Sequence, residues 1–226
     1  MKINHVFFDL DHTLWDFETN SDKAFFEIFE HHKLLEYSVK FLNYYRPINQ
    51  EYWRLYRHEK ISKDQLRYGR LKDTLNKINV AVEDELINKL AVDYIDALPN
   101  YNDLFEGAIE ILDYLRPKYE LHIITNGFNE VQYRKMKSSG LAPYFDKIIT
   151  SEDAGVKKPN PIIFDYALNN TKAQKSESIM IGDNWEADVM GAINFGLDAI
   201  YFNPESEPVS SNVKSVHSLS SLKSYL

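Results

Sequence analysis

Apolar residues run from Ile3 to Phe8 and stop at Asp9-Leu10-Asp11-His12-Thr13. A short run rich in aromatic and β-branched residues predicts a buried strand. After Thr13 the period changes. Ala24, Phe25, Ile28 and Phe29 recur at helical spacing, with Asn20 or Ser21 placed to cap the helix. Asn49 to His58 carries Tyr52, Trp53, Leu55 and Tyr56 among charges, and Pro47 just before it suits a helix start. Ser62 with Gln65 reads as a capping box opening a helix that runs to about Asn76. Val82 to Leu98 repeats the amphipathic pattern, with Leu86, Leu90 and Tyr94 on one stripe. No strand pattern interrupts this block.

From Tyr101 onward strands and helices alternate. Leu104–Leu115 reads as a helix ended by Pro117, Leu121–Thr125 as a strand, and Asn129–Ser139 as a helix stopped at Gly140. Lys147–Thr150 is a short strand, and Asn160-Pro161 opens a further helix. Ser178–Ile181 is a strand broken by Gly182-Asp183-Asn184, followed by a helix to Phe195 and a strand over Ala199–Phe202. Beyond Pro204 the pattern predicts a loop, a short edge strand near Val213 and a final helix. Such alternation specifies a doubly wound α/β core, a parallel sheet with helices on both faces. The first strand joins that sheet. The expected division is a core of residues 1–17 and 97–226, with residues 18–96 inserted as an all-helical cap above the carboxyl ends of the strands.

Composition narrows the class of protein without naming it. At 226 residues and 44% hydrophobic content the chain can bury a sizeable core. A net charge of −8 offers no basic excess for a nucleic-acid polymer, although one phosphate needs only a local positive site. There is no cysteine, hence no disulfide framework and no thiolate chemistry. The first apolar run is too short for a signal peptide, and no stretch approaches the ~20 apolar residues of a membrane helix. A cytoplasmic protein without a membrane partner is expected, as a monomer or homodimer.

The strand ends carry the chemistry. Asp9 and Asp11 lie one residue apart, so on an extended backbone both start on one face. Adjacent carboxylates raise the cost of ionising each other, and a shared cation would remove that cost. The alternative is a polar strand end opening into a capped helix. Thr125-Asn126-Gly127, Lys157-Lys158-Pro159 and Gly182-Asp183 with Asp188 end or follow the later strands. Each has an ordinary explanation: a turn, a solvated charge, an acid at a helix start. Gathered at one sheet edge they would combine acids, a lysine and backbone donors, a set suited to a hydrated Mg²⁺ together with a phosphate.

With these motifs the sequence resembles the haloacid dehalogenase superfamily of phosphohydrolases. The matching residues are Asp9-Leu10-Asp11-His12-Thr13, Ile124-Thr125-Asn126-Gly127, Lys158-Pro159, and Gly182-Asp183 with Asp188. The resemblance implies that Asp9 is the nucleophile, forming an aspartyl-phosphate. It implies that Asp11 protonates the leaving oxygen, later takes a proton from water, and lends its carbonyl to Mg²⁺ beside Asp9 and Asp183. Thr125 and the Asn126 amide would hold phosphoryl oxygens, Lys158 would neutralise charge, and Thr13 and Asp188 would brace the metal site. Mg²⁺ and Lys158 would offset a repulsion of about 4 kcal/mol per like-charge pair at 4 Å. True haloacid dehalogenases lack an acid at the position of Asp11, since halide leaves without a proton, so Asp11 argues for a phosphatase. Within the superfamily the chain is similar to the pyrimidine 5′-nucleotidase branch, through Phe8–Asp11, Asn49 with Trp53, Ile61 with Leu66, Gly69 and Arg70, Ile124–Phe128 and Ser151–Asn160. That implies a nucleoside monophosphate as substrate, with Trp53, Tyr56, Tyr68 or Phe128 stacking on the base and Arg70 meeting a sugar or base edge. The cap aromatics serve equally as a small core, and a sugar phosphate or phosphoglycolate is the alternative substrate.

Overall fold

The computed structural model describes residues 2–206, 208 and 212–226. The chain divides into two compact units, one of residues 1–17 and 102–226, the other of residues 18–101. The second boundary falls after Tyr101, so that the 3₁₀ turn Leu98–Asn100 stays with the helices before it.

The first unit is built on a six-stranded, wholly parallel sheet. Its strands are β1 (His5–Phe8), β2 (Glu120–Thr125), β3 (Lys147–Thr150), β4 (Ser178–Gly182), β5 (Asp198–Phe202) and β6 (Lys214–Val216), in the order β3-β2-β1-β4-β5-β6. β1 is central and buried at every position, as the unbroken apolar run requires of a strand covered on both faces. Phe8 lies level with Ile123 of β2 and Ile181 of β4, so the next residues of all three strands emerge together at one edge. The strand order reverses at β1, and the crevice at such a switch point is where open α/β sheets hold ligands.

Helices α5 (Ala108–Leu115), α6 (Asn129–Ser138), α7 (Ser151–Ala154), α8 (Pro161–Thr171) and α9 (Gly191–Phe195) accompany the sheet, after four earlier helices in the chain. Asn160 caps α8 through Ile162 N at 3.0 Å, with Pro161 in the first turn. The segment Trp185–Met190 between β4 and α9 winds as a π-helix, where an uninterrupted α-helix is expected. Ile163 and Phe164 of α8 share one buried cluster with Phe7, Ile124, Ile149 and Met180 of the sheet, among others. Of the loop expected after Pro204, residues 207 and 209–211 lie outside the described residues.

The second unit is helical: α1 (Phe17–His31, beginning one residue before the boundary), α2 (Ser38–Arg57), α3 (Lys63–Lys77) and α4 (Asp84–Ala97). Two expectations change here. α1 starts a turn earlier than a cap at Asn20 or Ser21 allows, and Ser21 instead lies buried with its Oγ 2.9 Å from Tyr94 Oη. α2 runs through Pro47 instead of starting after it, because Phe41, Leu42, Tyr45, Asn49 and Tyr56 all bury one face of a single helix. Tertiary burial outweighs one missing backbone hydrogen bond. The Ser62–Gln65 capping box forms as expected, with Gln65 N donating to Ser62 Oγ at 3.2 Å and Ser62 N to Gln65 Oε1 at 2.8 Å. Among the described residues no helix is long and apolar enough to cross a membrane.

Candidate active site

Three strand ends and one loop build the site, all within the first unit. Asp9 follows β1, Thr125 ends β2, Gly182-Asp183 ends β4, and Lys158 comes from the loop between α7 and α8. Asp9 N donates to the Ile181 carbonyl at 2.9 Å, which continues the β1–β4 ladder one step beyond the strand and sets the Asp9 side chain beside Asp183.

Lys158 is fully buried and sits at the centre. Its Nζ donates to Asp9 Oδ1 and to the Ile124 carbonyl, both at 2.5 Å, and lies 2.7 Å from Asp188 Oδ1. The ligating oxygens of Asp9, Asp183 and Asp188 all fall within 4.8 Å of one another. Asp183 is fixed by Thr13, which donates from Oγ1 to Asp183 Oδ1 at 2.9 Å and accepts from Asp183 N at 3.1 Å. Asp188 accepts from Asn184 N at 3.0 Å. That carboxylate folds back so closely that a Cβ on Gly182 would stand 2.3 Å from its Oδ2, which is why glycine ends β4. Asn126 spends its side chain on the lysine loop. It accepts from Lys158 N at 2.8 Å and donates to the Lys158 carbonyl at 2.9 Å, tying the end of β2 to the loop.

Three carboxylates face one ammonium. Burial, then the charges of Asp188 and Asp183, push the Asp9 carboxyl well above its ordinary range, against the opposing pull of Lys158. Asp183 is pushed up to about 7, by burial and by Asp188. Burial works against the charge of Lys158, but Asp188 and Asp9 outweigh it and hold the ammonium above its usual range. The excess amounts to two negative charges, and every donor in reach is oxygen. A hard divalent cation fits both conditions.

Asp11 is held apart from this cluster. Its Oδ1 pairs with Lys135 Nζ at 2.5 Å and its Oδ2 accepts from Gln132 Nε2 at 2.8 Å. Lys135 is buried with its ammonium 4.0 Å from the centre of the Trp15 ring. Gln132 Nε2 also donates to Thr125 Oγ1 at 2.8 Å, and Gly127 N donates to the same oxygen at 3.1 Å. Both bonds to Thr125 are accepted, which leaves its own O–H as a donor. A Cβ on Gly127 would stand 2.3 Å from Gln132 Cδ, so glycine is what lets Gln132 reach both partners. Gln132 and Lys135 escaped the sequence reading. They lie three apart on α6, amid a polar helix face with no motif to mark them.

The substrate residues read from the cap lie in different settings. Trp53 and Tyr56 form an edge-on pair on α2, with ring centres 5.7 Å apart. Tyr68 donates to Asp84 Oδ1 at 2.7 Å. Phe128, in the first unit, is buried at the start of α6. Arg70 is 2% exposed, donates to Asn49 Oδ1 at 2.9 Å, and stands 5.2 Å from the Tyr94 ring and 5.8 Å from the Tyr45 ring. Its guanidinium is committed to the interior of the helical unit.

The profile of haloacid dehalogenase-like hydrolases matches residues 3–196. The chain belongs to this family. Among its relatives, the pyrimidine 5′-nucleotidase YjjG of Escherichia coli (strain K12) is 34% identical across 98% of both chains. The pyrimidine 5′-nucleotidase PynA of Streptococcus pneumoniae (strain R6) is 30% identical over 90% of this chain and 85% of that one. The magnesium-bound crystal structure of the HAD-hydrolase YfnB from Bacillus subtilis covers 100% of this chain and 99% of its own, with a TM-score of 0.88 and 27% identity. The three acids, Lys158 and Asp11 therefore sit in a hydrolase of this family.

A cation held at Asp9 and Asp183 would compete with protons. Asp183 would ligate only as the carboxylate, so below about pH 7 a cation would displace a proton from it. Titration calorimetry with Mg²⁺ in buffers of different ionisation enthalpy is expected to show proton release. Apparent affinity should fall about tenfold per pH unit as pH drops from about 7 to 5. An affinity flat across that window would contradict the assignment.

Proposed function

We propose that this hydrolase is a cytoplasmic Mg²⁺-dependent phosphomonoesterase acting through an aspartyl-phosphate on nucleoside 5′-monophosphates, pyrimidine nucleotides foremost. The observation that carries this reading is the pairing of two differently held acids: Asp9 against Lys158 among carboxylates, and Asp11 against Lys135 and Gln132. A nucleophile and a separate proton donor are what ester hydrolysis requires. A halide leaving group needs no such donor.

Mg²⁺, held by Asp9, Asp183 and the Asp11 carbonyl, would supply positive charge at the phosphoryl oxygens. The chain's own residues perform the rest. An Asp9 oxygen attacks phosphorus as the ester P–O bond breaks, and Asp11 delivers its proton to the departing nucleoside oxygen. Water then attacks the phosphorus of the aspartyl-phosphate while Asp11 takes its proton, releasing phosphate and restoring Asp9. Lys158 offsets the repulsion between Asp9 and the incoming dianion, and the Thr125 hydroxyl and Asn126 backbone amide donate to phosphoryl oxygens. Lys135 and Gln132 act as positioning residues that locate both oxygens of Asp11 before substrate arrives. Trp53 and Phe128 are proposed as the aromatic contacts of the base.

Hydrolysis of a nucleotide panel against a sugar-phosphate and phosphoglycolate panel tests the reading. Pyrimidine monophosphates are expected to give the highest kcat/KM, and Trp53→Ala and Phe128→Ala to narrow that preference. Asp9→Asn should lose at least ~10³-fold in kcat with an unchanged circular dichroism spectrum. Faster turnover of sugar phosphates would replace the substrate assignment, and an active Asp9→Asn would sink the covalent route. For Lys135→Met the expected signature is leaving-group dependence. Turnover of a nucleotide should drop by ~10-fold or more, while an aryl phosphate with a good leaving group loses much less, because only the poor leaving group needs the proton from Asp11. Equal losses on both substrates would make Lys135 merely structural.

A further inference from the structure

The opposite end of the same strands carries a second convergence of ligating side chains. His5 opens β1 level with Glu120, which opens β2, and His122 lies two residues further along β2. Parallel register and the two-residue period bring all three onto one face of the sheet. His5 Nδ1 stands 3.2 Å from His122 Nε2 and 3.7 Å from Glu120 Oε2, and the ligating atoms all fall within 4.8 Å of one another. The two rings stack at 5.5 Å, with Phe7 4.9 Å from His122 on the core side. His122 is 1% exposed, His5 7%, and the Glu120 side chain 62%, so the cluster runs from the core to the surface.

As hydrogen-bond partners the imidazoles satisfy each other poorly. Their single contact leaves the buried His122 Nδ1 with no partner. As ligands they suit each other well. In a tetrahedral zinc site with Zn–N and Zn–O bonds of about 2.0–2.2 Å, neighbouring ligand atoms stand about 3.3–3.6 Å apart, and the 3.2 and 3.7 Å separations from His5 Nδ1 lie just to either side of that range.

We propose that His5, Glu120 and His122 form a second metal site, for a zinc-class divalent transition ion, at the amino edge of the sheet. Two imidazole nitrogens and one carboxylate favour such an ion over Mg²⁺, which prefers an all-oxygen shell. The neutral ring is the form of histidine that ligates. The exposed Glu120 gives the ion a path in and leaves its fourth position to water. Four residues of extended chain separate His5 from Asp9, about 13 Å, so the ion is not shared with the carboxylate cluster. It would clip β1 to β2 at the end remote from the chemistry.

The test compares the wild-type protein with Glu120→Gln and His5→Gln. Each is equilibrated with Zn²⁺ in excess Mg²⁺ and desalted, and its metal is counted by mass spectrometry. The wild type is expected to retain about one zinc per chain more than His5→Gln, and Glu120→Gln to bind at least ~10-fold more weakly. Imidazole ¹⁵N resonances of His5 and His122 should shift with Zn²⁺ in the wild type. Mg²⁺-supported hydrolysis should be the same in all three proteins, which separates this site from the carboxylate site. Glu120 is exposed, so its variant keeps the test valid should His5→Gln fail to fold. Equal zinc content in the wild type and Glu120→Gln, or imidazole signals indifferent to Zn²⁺, would reduce the pair to a buried hydrogen bond.

Discussion

The site depends on one buried ammonium. Lys158 sits where three strands end, with Asp9, Asp188 and the Ile124 carbonyl all within 2.7 Å of its Nζ. An unpaired charge at that depth would be prohibitively costly, and so would the carboxylates without it, so each stabilises the ionised form of the other. The lysine is also what turns separate strand ends into one object. It joins β1 through Asp9, β2 through Ile124 and the segment after β4 through Asp188, while Asn126 clamps its backbone from both sides. The compensation is deliberately incomplete. One ammonium against three acids leaves a deficit that a divalent cation can fill, and the raised proton affinities of Asp9 and Asp183 are the imprint of that deficit.

Around this centre the small residues decide what can approach what. Gly182 lets the Asp188 carboxylate fold back against the end of β4, and Gly127 lets Gln132 cross to Thr125 and Asp11. The two acids that begin one residue apart thus end with different partners. Asp9 faces Lys158, Asp183 and Asp188, whereas Asp11 faces Lys135 and Gln132 on α6. Two carboxylates with separate environments can serve two roles in one reaction, since the surroundings of each set its charge and its orientation independently.

The sheet edges differ in donor chemistry. At the carboxyl edge the convergent atoms are carboxylate oxygens, and at the amino edge the imidazoles of His5 and His122 join Glu120. The same register that aligns Phe8 with Ile123 and Ile181 aligns His5 with Glu120, so the two groupings share a single cause in the pairing of β1. Hard and borderline donors held apart by the length of a strand allow two different metals to be sorted by ligand type.

Hydrophobic period alone determined the layout: a strand, a helical block, then alternating strands and helices, because periods of two and of 3.6 are written locally in the residues. The motif acids, Thr125 and Lys158 were legible for the same reason, each standing at a strand end that the pattern marks. Local reading failed where distant packing overruled it. Pro47 became internal to α2, Ser21 turned to Tyr94, and Arg70 entered the interior of the helical unit between Tyr45 and Tyr94. Gln132 and Lys135 were invisible because their meaning lies in Asp11, more than a hundred residues away. Only the tertiary structure decided which acid Lys158 would pair with and which Lys135 would hold, since charge pairing in a buried site is set by which strand ends the sheet brings within reach, and no local sequence pattern records that distance.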